Sequence, residues 1–183
     1  LKLLQERGVK IVEPESGFLA CGANGKGRLA DINIIFETVK NCLLPKQILK
    51  GKKVVITAGG TKENIDAVRY IGNYSSGKMG IAIADNAYKL GAEVILISTV
   101  TADKNYKVIN VQSAEEMYNE VKTEFKTADS LIMAAAVSDY RVKNKSEHKI
   151  KKDGNSLTIE LVENPDILQE MCKIKNENQT VIG

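Results

Sequence analysis

The stretch from Val54 to Gly91, VVITAGGTKENIDAVRYIGNYSSGKMGIAIADNAYKLG, leaves few folds open. Val54, Val55, Ile56 and Thr57 are apolar or β-branched with no polar alternation, the pattern of a parallel strand covered on both faces. Gly59 and Gly60 break the strand, because glycine turns freely and lets the backbone approach a ligand. A helix is predicted to open near Ser75-Ser76-Gly77, with Met79, Ile81, Ile83, Ala84, Ala87, Tyr88 and Leu90 as its apolar contacts and Gly91 as its stop. A second strand, Glu93 to Ser98, follows at once. The unit is βαβ, with glycines at the carboxyl end of its first strand, where open α/β sheets bind ligands. Unpaired N–H groups at the helix start attract anions, so phosphate is the first ligand to expect.

Two nucleotide motifs compete for the same residues. Gly72-Asn-Tyr-Ser-Ser-Gly77-Lys78 nearly spells a P-loop, but Met79 stands where Ser or Thr should hold magnesium, and no strand is predicted to run into Gly72. The G-x-G-x-x-G dinucleotide fingerprint fails too, because Gly59 and Gly60 are adjacent and far from the helix start. What remains is a long polar βα loop, and long loops in compact domains are usually functional.

The rest of the chain supports one α/β domain with an appendage. At 183 residues and 43% hydrophobic it can bury a good core. No apolar run reaches membrane-spanning length and no secretory pattern is present, so a cytoplasmic protein without membrane contact is expected. Cys21, Cys42 and Cys172 have neither disulfide nor zinc spacing, which fits a reducing compartment, and the single His148 excludes a His-rich metal site. The chain lacks an initiator Met, so a trimmed or internal piece is expected. A net charge of +3 does not imply nucleic acid.

Residues 1–42 read as a separate segment, 43–51 as a linker and 52–183 as the main domain. Lys10 to Glu13 is strand-like. The segment from Pro14 to Arg28 holds four glycines between Gly17 and Gly27 and is predicted to be a mobile loop or lid. Within it Cys21 reads either as an inert small hydrophobe or as a thiol acid or nucleophile assisted by Lys26 and Arg28. A helix is predicted over Ile32 to Cys42. Beyond Ser98, Lys107 to Val111 is a third strand, Ser113 and Glu116 form a capping box for a helix to about Thr127, and Asp129 to Val137 is a fourth strand. It ends at Ser138-Asp139-Tyr140, on the edge that faces the crevice. Arg141 to Lys152 carries six basic residues against Glu147, a solvated loop from which one or two lysines reach phosphate. A hairpin is predicted to turn at Asp153-Gly154, with arms Lys149–Lys152 and Ser156–Glu163. A helix from Asn164-Pro165 to about Lys175 and a strand at Thr180 to Ile182 complete a Rossmann-like three-layer parallel sheet with a β-hairpin excursion.

ITAGGTKENIDAVRYIGNYSSGKMG, AAAVSDY, the HKIKK segment and VENPDIL together resemble the phosphopantothenate–cysteine ligase family of coenzyme A biosynthesis. PESGFLACGANGKGRL resembles the clamp of the flavin-dependent phosphopantothenoylcysteine decarboxylase, and the order matches bacterial bifunctional proteins. The resemblance implies a homodimeric domain whose small-molecule substrates are CTP, 4′-phosphopantothenate and cysteine. The pantothenate carboxylate attacks the CTP α-phosphate, releases pyrophosphate and leaves an acyl-cytidylate; the cysteine amine then displaces CMP. Mg2+ is expected on the triphosphate. Position alone makes Asn73 a turn residue, whereas the resemblance makes it the asparagine that holds the acyl-cytidylate. It likewise assigns Lys149 to the first half-reaction, Ala135 and Asp139 to the nucleotide, and Gly59, Gly60, Ser75, Ser76, Gly77 and Met79 to the phosphate cradle. Cys21 matches the decarboxylase clamp cysteine. The FMN-binding body of that enzyme is expected upstream, so no decarboxylation is expected here. Family members continue past Val181-Ile182-Gly183 into a segment whose Phe packs on the cytosine, so this stretch alone is expected to have an incomplete base pocket and impaired activity. The competing readings are an NAD(P)-binding oxidoreductase, weakened by the displaced glycines, and a nucleic-acid binder, weakened by the absence of aromatics around Arg141–Lys152 other than Tyr140.

Overall fold

Residues 1–19, 21–43 and 46–183 are described by the computed structural model, in which the chain divides into two units, Leu1–Lys46 and Gln47–Gly183. In the first, α1 (Lys2–Glu6) precedes the antiparallel pair β1 (Glu15–Phe18) and β2 (Asn24–Arg28), and α2 spans Ile32–Leu43. The glycine-rich segment expected to be a loop is thus largely a hairpin. Gly17 lies opposite Gly25, and the turn is closed by Leu19 N–H donating to the Ala23 carbonyl at 2.9 Å. Small residues face each other there without obstructing the ladder. Lys10 to Glu13 forms no strand, and α2 buries none of its described residues. Leu44 and Pro45 of the expected linker lie outside the described residues. The remainder, from Gln47, belongs to the second unit: its Nε2 donates to the Lys89 carbonyl at 3.0 Å, and Leu49 N–H donates to the Leu90 carbonyl at 2.9 Å.

The second unit runs β3 (Lys53–Ala58), β4 (Lys62–Asn64), β5 (Tyr70–Gly72), α3 (Lys78–Lys89), β6 (Glu93–Ser98), β7 (Lys107–Asn110), α4 (Ala114–Phe125), β8 (Ser130–Met133), β9 (Tyr140–Val142), β10 (Leu161–Glu163), α5 (Ile167–Ile174) and β11 (Thr180–Ile182). Five strands make one parallel sheet in the order β11-β8-β3-β6-β7. Counted along the chain this is the doubly wound 3-2-1-4-5 order, whose switch point lies between β3 and β8. Both faces are covered, as the unbroken apolar runs require. Val55, Ile95, Ile97 and Leu131 pack with Met117, Val121 and Phe125 of α4 and with Ile167 and Met171 of α5. On the other face, Val54, Ile56, Val94 and Leu96 pack with Ala84 and Ala87 of α3. The expected three-layer Rossmann-like fold is observed.

Three local expectations are corrected. The fourth strand stops at Met133 rather than Val137, because the Thr57 hydroxyl accepts the N–H groups of Ala134 and Ala135, both at 3.1 Å, and turns the chain out of the ladder. A strand does run into Gly72: β5 pairs antiparallel with β4 inside the long βα loop. The hairpin arms are Tyr140–Val142 and Leu161–Glu163, not Lys149–Lys152 and Ser156–Glu163. Lys149, Lys151 and Lys152 offer one charge sign and no apolar stripe to a partner strand. Asp153-Gly154 remains a local turn, with Asp153 Oδ1 accepting from Asn155 N–H at 2.9 Å.

Candidate functional site

The carboxyl ends of β3 and β8 separate around a set of short-range ties. Gly60 forms an isolated parallel bridge with Ala136, the buried Thr61 hydroxyl accepts from Ser138 N–H at 2.9 Å, and Asn73 Nδ2 donates to the Val137 carbonyl at 3.1 Å. Gly60 is required where it stands. A Cβ there would lie 2.3 Å from the Asn73 carbonyl oxygen, so only glycine lets the returning loop come this close. Asn73 itself is exposed, and its Oδ1 accepts no hydrogen bond among the described residues.

From Asn73 the chain passes through the exposed Tyr74, Ser75 and Ser76 to Gly77, which caps α3 in the left-handed region (φ 70°). The three helices of this unit start differently. The Ser113 hydroxyl caps α4 by accepting from Glu116 N–H at 3.2 Å, and Glu115 and Glu116 occupy its first turn. Asp166 caps α5 by accepting from Gln169 N–H at 2.9 Å. Helix α3 has no side-chain cap among the described residues, no acidic residue in its first turn, and Lys78 at its first position. Its free N–H groups and positive dipole end are left for an anion. Gly80 brings this turn against the sheet: a Cβ there would lie 2.5 Å from the Thr57 carbonyl oxygen and 2.7 Å from the Ala58 Cβ. Gly77 and Gly80 thus reproduce the second half of the dinucleotide fingerprint, while Gly59 and Gly60 stand apart from it across the β4–β5 hairpin.

On the far side of the β8 end lies a cleft of about 690 Å³, lined by Ala135, Asp139, Tyr140 and the Glu163–Ile167 segment, among others. Asn164 fixes its rim: its N–H donates to the Asp139 carbonyl at 2.7 Å and its Nδ2 to the Ser138 carbonyl at 2.8 Å. Arg141 reaches the Glu163 carbonyl and, at 3.4 Å, Asn164 Oδ1. Asp139 is exposed, and its carboxylate makes no hydrogen bond or ion pair among the described residues. The sequence-predicted residues therefore fall into two adjoining groups. Gly59, Gly60, Asn73, Ser75, Ser76, Gly77 and Met79 surround the α3 start, and Ala135 and Asp139 line the cleft. The Asn73–Val137 bond joins them.

Two predicted residues lie elsewhere. Lys149 is exposed on the 143–160 excursion between β9 and β10 and makes no side-chain hydrogen bond or ion pair among the described residues. Its neighbour Ile150 is docked on the turn between β4 and β5, where Ile150 N–H donates to Asp66 Oδ2 at 3.1 Å. Cys21 lies in the first unit, exposed in the β1–β2 turn. In the hairpin register Lys26 faces Ser16 and Arg28 faces Glu15. Sequence reasoning missed Thr57, Thr61, Asp66, Arg69 and Asn164. The D-x-x-R spacing of Asp66 and Arg69 was the one local signal of a built turn.

No group of three His, Cys, Asp or Glu side chains is arranged to hold a metal, and no helix is long and apolar enough to cross a membrane, among the described residues. The chain is 45% identical over 186 residues to the coenzyme A biosynthesis bifunctional protein CoaBC of Haemophilus influenzae, and 42% identical over 187 residues to the protein of that name from Borreliella burgdorferi. Each match covers 100% of this chain but 46% and 48% of the relative, so the chain spans about half the length of the curated relatives it matches. A crystal structure of the C-terminal domain of the coenzyme A biosynthesis bifunctional protein CoaBC superposes with a TM-score of 0.64 at 40% identity, over 74% of this chain and 65% of that one. The oxidoreductase alternative finds no support among these relatives. Residues 49–183 match the DFP family, and the chain belongs to that family, the DNA/pantothenate metabolism flavoprotein C-terminal domain.

Proposed function

We propose that this chain supplies the ligase half-site that joins 4′-phosphopantothenate to cysteine at the expense of CTP. The observation that carries the reading is the pairing of an uncapped, lysine-bearing helix start with an adjoining cleft at the switch point of a DFP-family domain. In this reading Gly59, Gly60 and the Ser75–Met79 turn hold phosphates through backbone N–H groups, and Ala135 and Asp139 hold the base and ribose. Lys149 offsets the charge of the departing pyrophosphate. Asn73, anchored through its Nδ2 to the Val137 carbonyl, presents its amide oxygen and remaining N–H to the acyl-cytidylate. The catalytic gain comes from placing fixed dipoles and a cation around developing charge.

The described residues fit a magnesium ion carried by the nucleotide better than one held in a protein cage, with Asp139 and Glu163 as carboxylates in the cleft lining. When bound, the ion would neutralise the triphosphate. Decarboxylation and its FMN belong in this reading to the remaining length of the bifunctional relatives, with which Cys21 would act. The exposed apolar residues Val68, Tyr70, Ile71, Tyr74 and Met79 on the same hairpin and helix start are the face we assign to a homodimer. A cytoplasmic location and the absence of nucleic-acid partners complete the proposal.

The test is calorimetric titration with CTP and Mg2+ beside ATP and NADPH, followed by pyrophosphate release with 4′-phosphopantothenate. Selective CTP binding supports the reading. Binding of NADPH in its place overturns it.

A further inference from the structure

We infer that Asp66, acting with Arg69, is a positioning residue for Lys149, latching the 143–160 excursion to the β4–β5 turn through the peptide groups of Ile150. The inference rests on the reading of Lys149 given above.

Asp66 is buried in an otherwise exposed turn, 2% accessible. Its Oδ1 accepts the N–H groups of Val68 at 2.9 Å and Arg69 at 2.8 Å, which closes the turn by itself. The second oxygen is committed elsewhere. Oδ2 accepts from Arg69 Nε at 3.0 Å, from Arg69 Nη2, and from Ile150 N–H at 3.1 Å. Arg69 Nη2 also donates to the Ile150 carbonyl at 3.2 Å. Both peptide groups flanking Ile150 are thereby held by one acid–base pair, and Ser146 N–H donates to the Ile65 carbonyl at 3.0 Å as a second tie.

The Ile150 N–H belongs to the peptide that links Lys149 to Ile150. Fixing that peptide fixes the direction in which Lys149 leaves the backbone, while its side chain stays free for a ligand. The same turn continues through β5 to Asn73, so one latch sets the separation of the segments that carry Asn73 and Lys149. The Arg69 guanidinium holds the Asp66 carboxyl well below the usual carboxylate range, against its burial, so the latch stays charged at neutral pH.

Asp66→Asn separates turn from latch. The amide keeps a carbonyl oxygen for Val68 and Arg69 and places an NH2 where Arg69 and Ile150 donate. In the full-length enzyme, pyrophosphate release is followed with CTP, Mg2+ and 4′-phosphopantothenate in the absence of cysteine, beside hydrogen exchange at the Ile150 amide. Release should slow by about a hundredfold, the scale expected of an ångström-level misplacement, with little change in KM for CTP. Ile150 exchange should quicken, and adding Lys149→Gln should cause no further loss of rate. Unchanged exchange at Ile150 overturns the latch. Faster exchange with wild-type release, where Lys149→Gln alone is slow, overturns the positioning role. Wild-type release in Lys149→Gln alone overturns the underlying reading of Lys149. Arg69→Lys keeps a cation beside Asp66 without the fork to Ile150; it should slow release in the same direction, and wild-type release in that variant also refutes the proposal.

Discussion

Gly80→Ala sets two physical rules against each other. Alanine exceeds glycine in helix propensity by about 1 kcal/mol, so propensity alone predicts stabilisation. The structure predicts the opposite. The new Cβ would sit 2.5 Å from the Thr57 carbonyl oxygen and 2.7 Å from the Ala58 Cβ, both on the buried strand β3. Neither atom is the end of a flexible side chain, so the first turn of α3 must retreat by about half an ångström or more to restore ordinary contact. Overpacking of this kind costs about 1–3 kcal/mol. Set against the propensity gain, the net loss is about 0–2 kcal/mol, up to several degrees in Tm. Urea denaturation of Gly80→Ala beside Ala82→Gly, at an exposed position of the same helix, measures both terms. The retreat also moves the uncapped N–H groups from Gly59, so CTP affinity should fall along with stability. Gly80→Ala with a midpoint above that of the parent would refute the close-packing argument.

Thr57→Val removes the acceptor of two backbone N–H groups while keeping side-chain shape, and should cost about 2–3 kcal/mol by denaturant titration; a loss below a few tenths would show that the β8 end is set by other forces. Stability should decline on acidification. Lys107 and then Lys53 hold Glu124 below its ordinary value, Lys104 and Tyr106 do the same for Asp85, and Lys52 for Asp129. Their folded-state values lie below the unfolded ones, so the stability they contribute is complete above the ordinary carboxylate range and is lost as pH falls through and below it. Urea midpoints between pH 7 and pH 3 check this, and a midpoint that rises on acidification contradicts it. Asn73→Ala should leave the fold intact and slow amide formation by about a hundredfold, as loss of one positioned donor does elsewhere, with CTP binding nearly unchanged; equal turnover removes Asn73 from the chemistry.

The sheet was legible in the sequence because strands covered on both faces cannot alternate. VVIT, EVILIS and DSLIMAAAV each announce burial; the observed ladders coincide with the first two and with the first part of the third. The capping box at Ser113 was legible for a local reason, with the refinement that the Glu116 carboxylate accepts from Gln112 N–H rather than from the cap residue itself. The long-range ties were not legible. Asp66 and Ile150 are 84 residues apart, and a charged turn residue in sequence looks solvated whether or not a distant amide descends on it. The end of β8 was misplaced for a similar reason: AAAV is apolar enough to continue a strand, and the Thr57 hydroxyl on the neighbouring strand diverts it at Ala134 and Ala135.

The unequal helix starts carry a thermodynamic consequence. Helices α4 and α5 bring their own caps, so each has an N–H of its first turn satisfied by a side chain in the free protein. Helix α3 leaves its cap to an incoming anion, which then acts as the missing piece of secondary structure. Anion concentration, through simple mass action, would set both occupancy and local rigidity. The amides at the start of α3 should exchange fastest among the three helix starts in the free protein, and slow most when phosphate-bearing ligand is added.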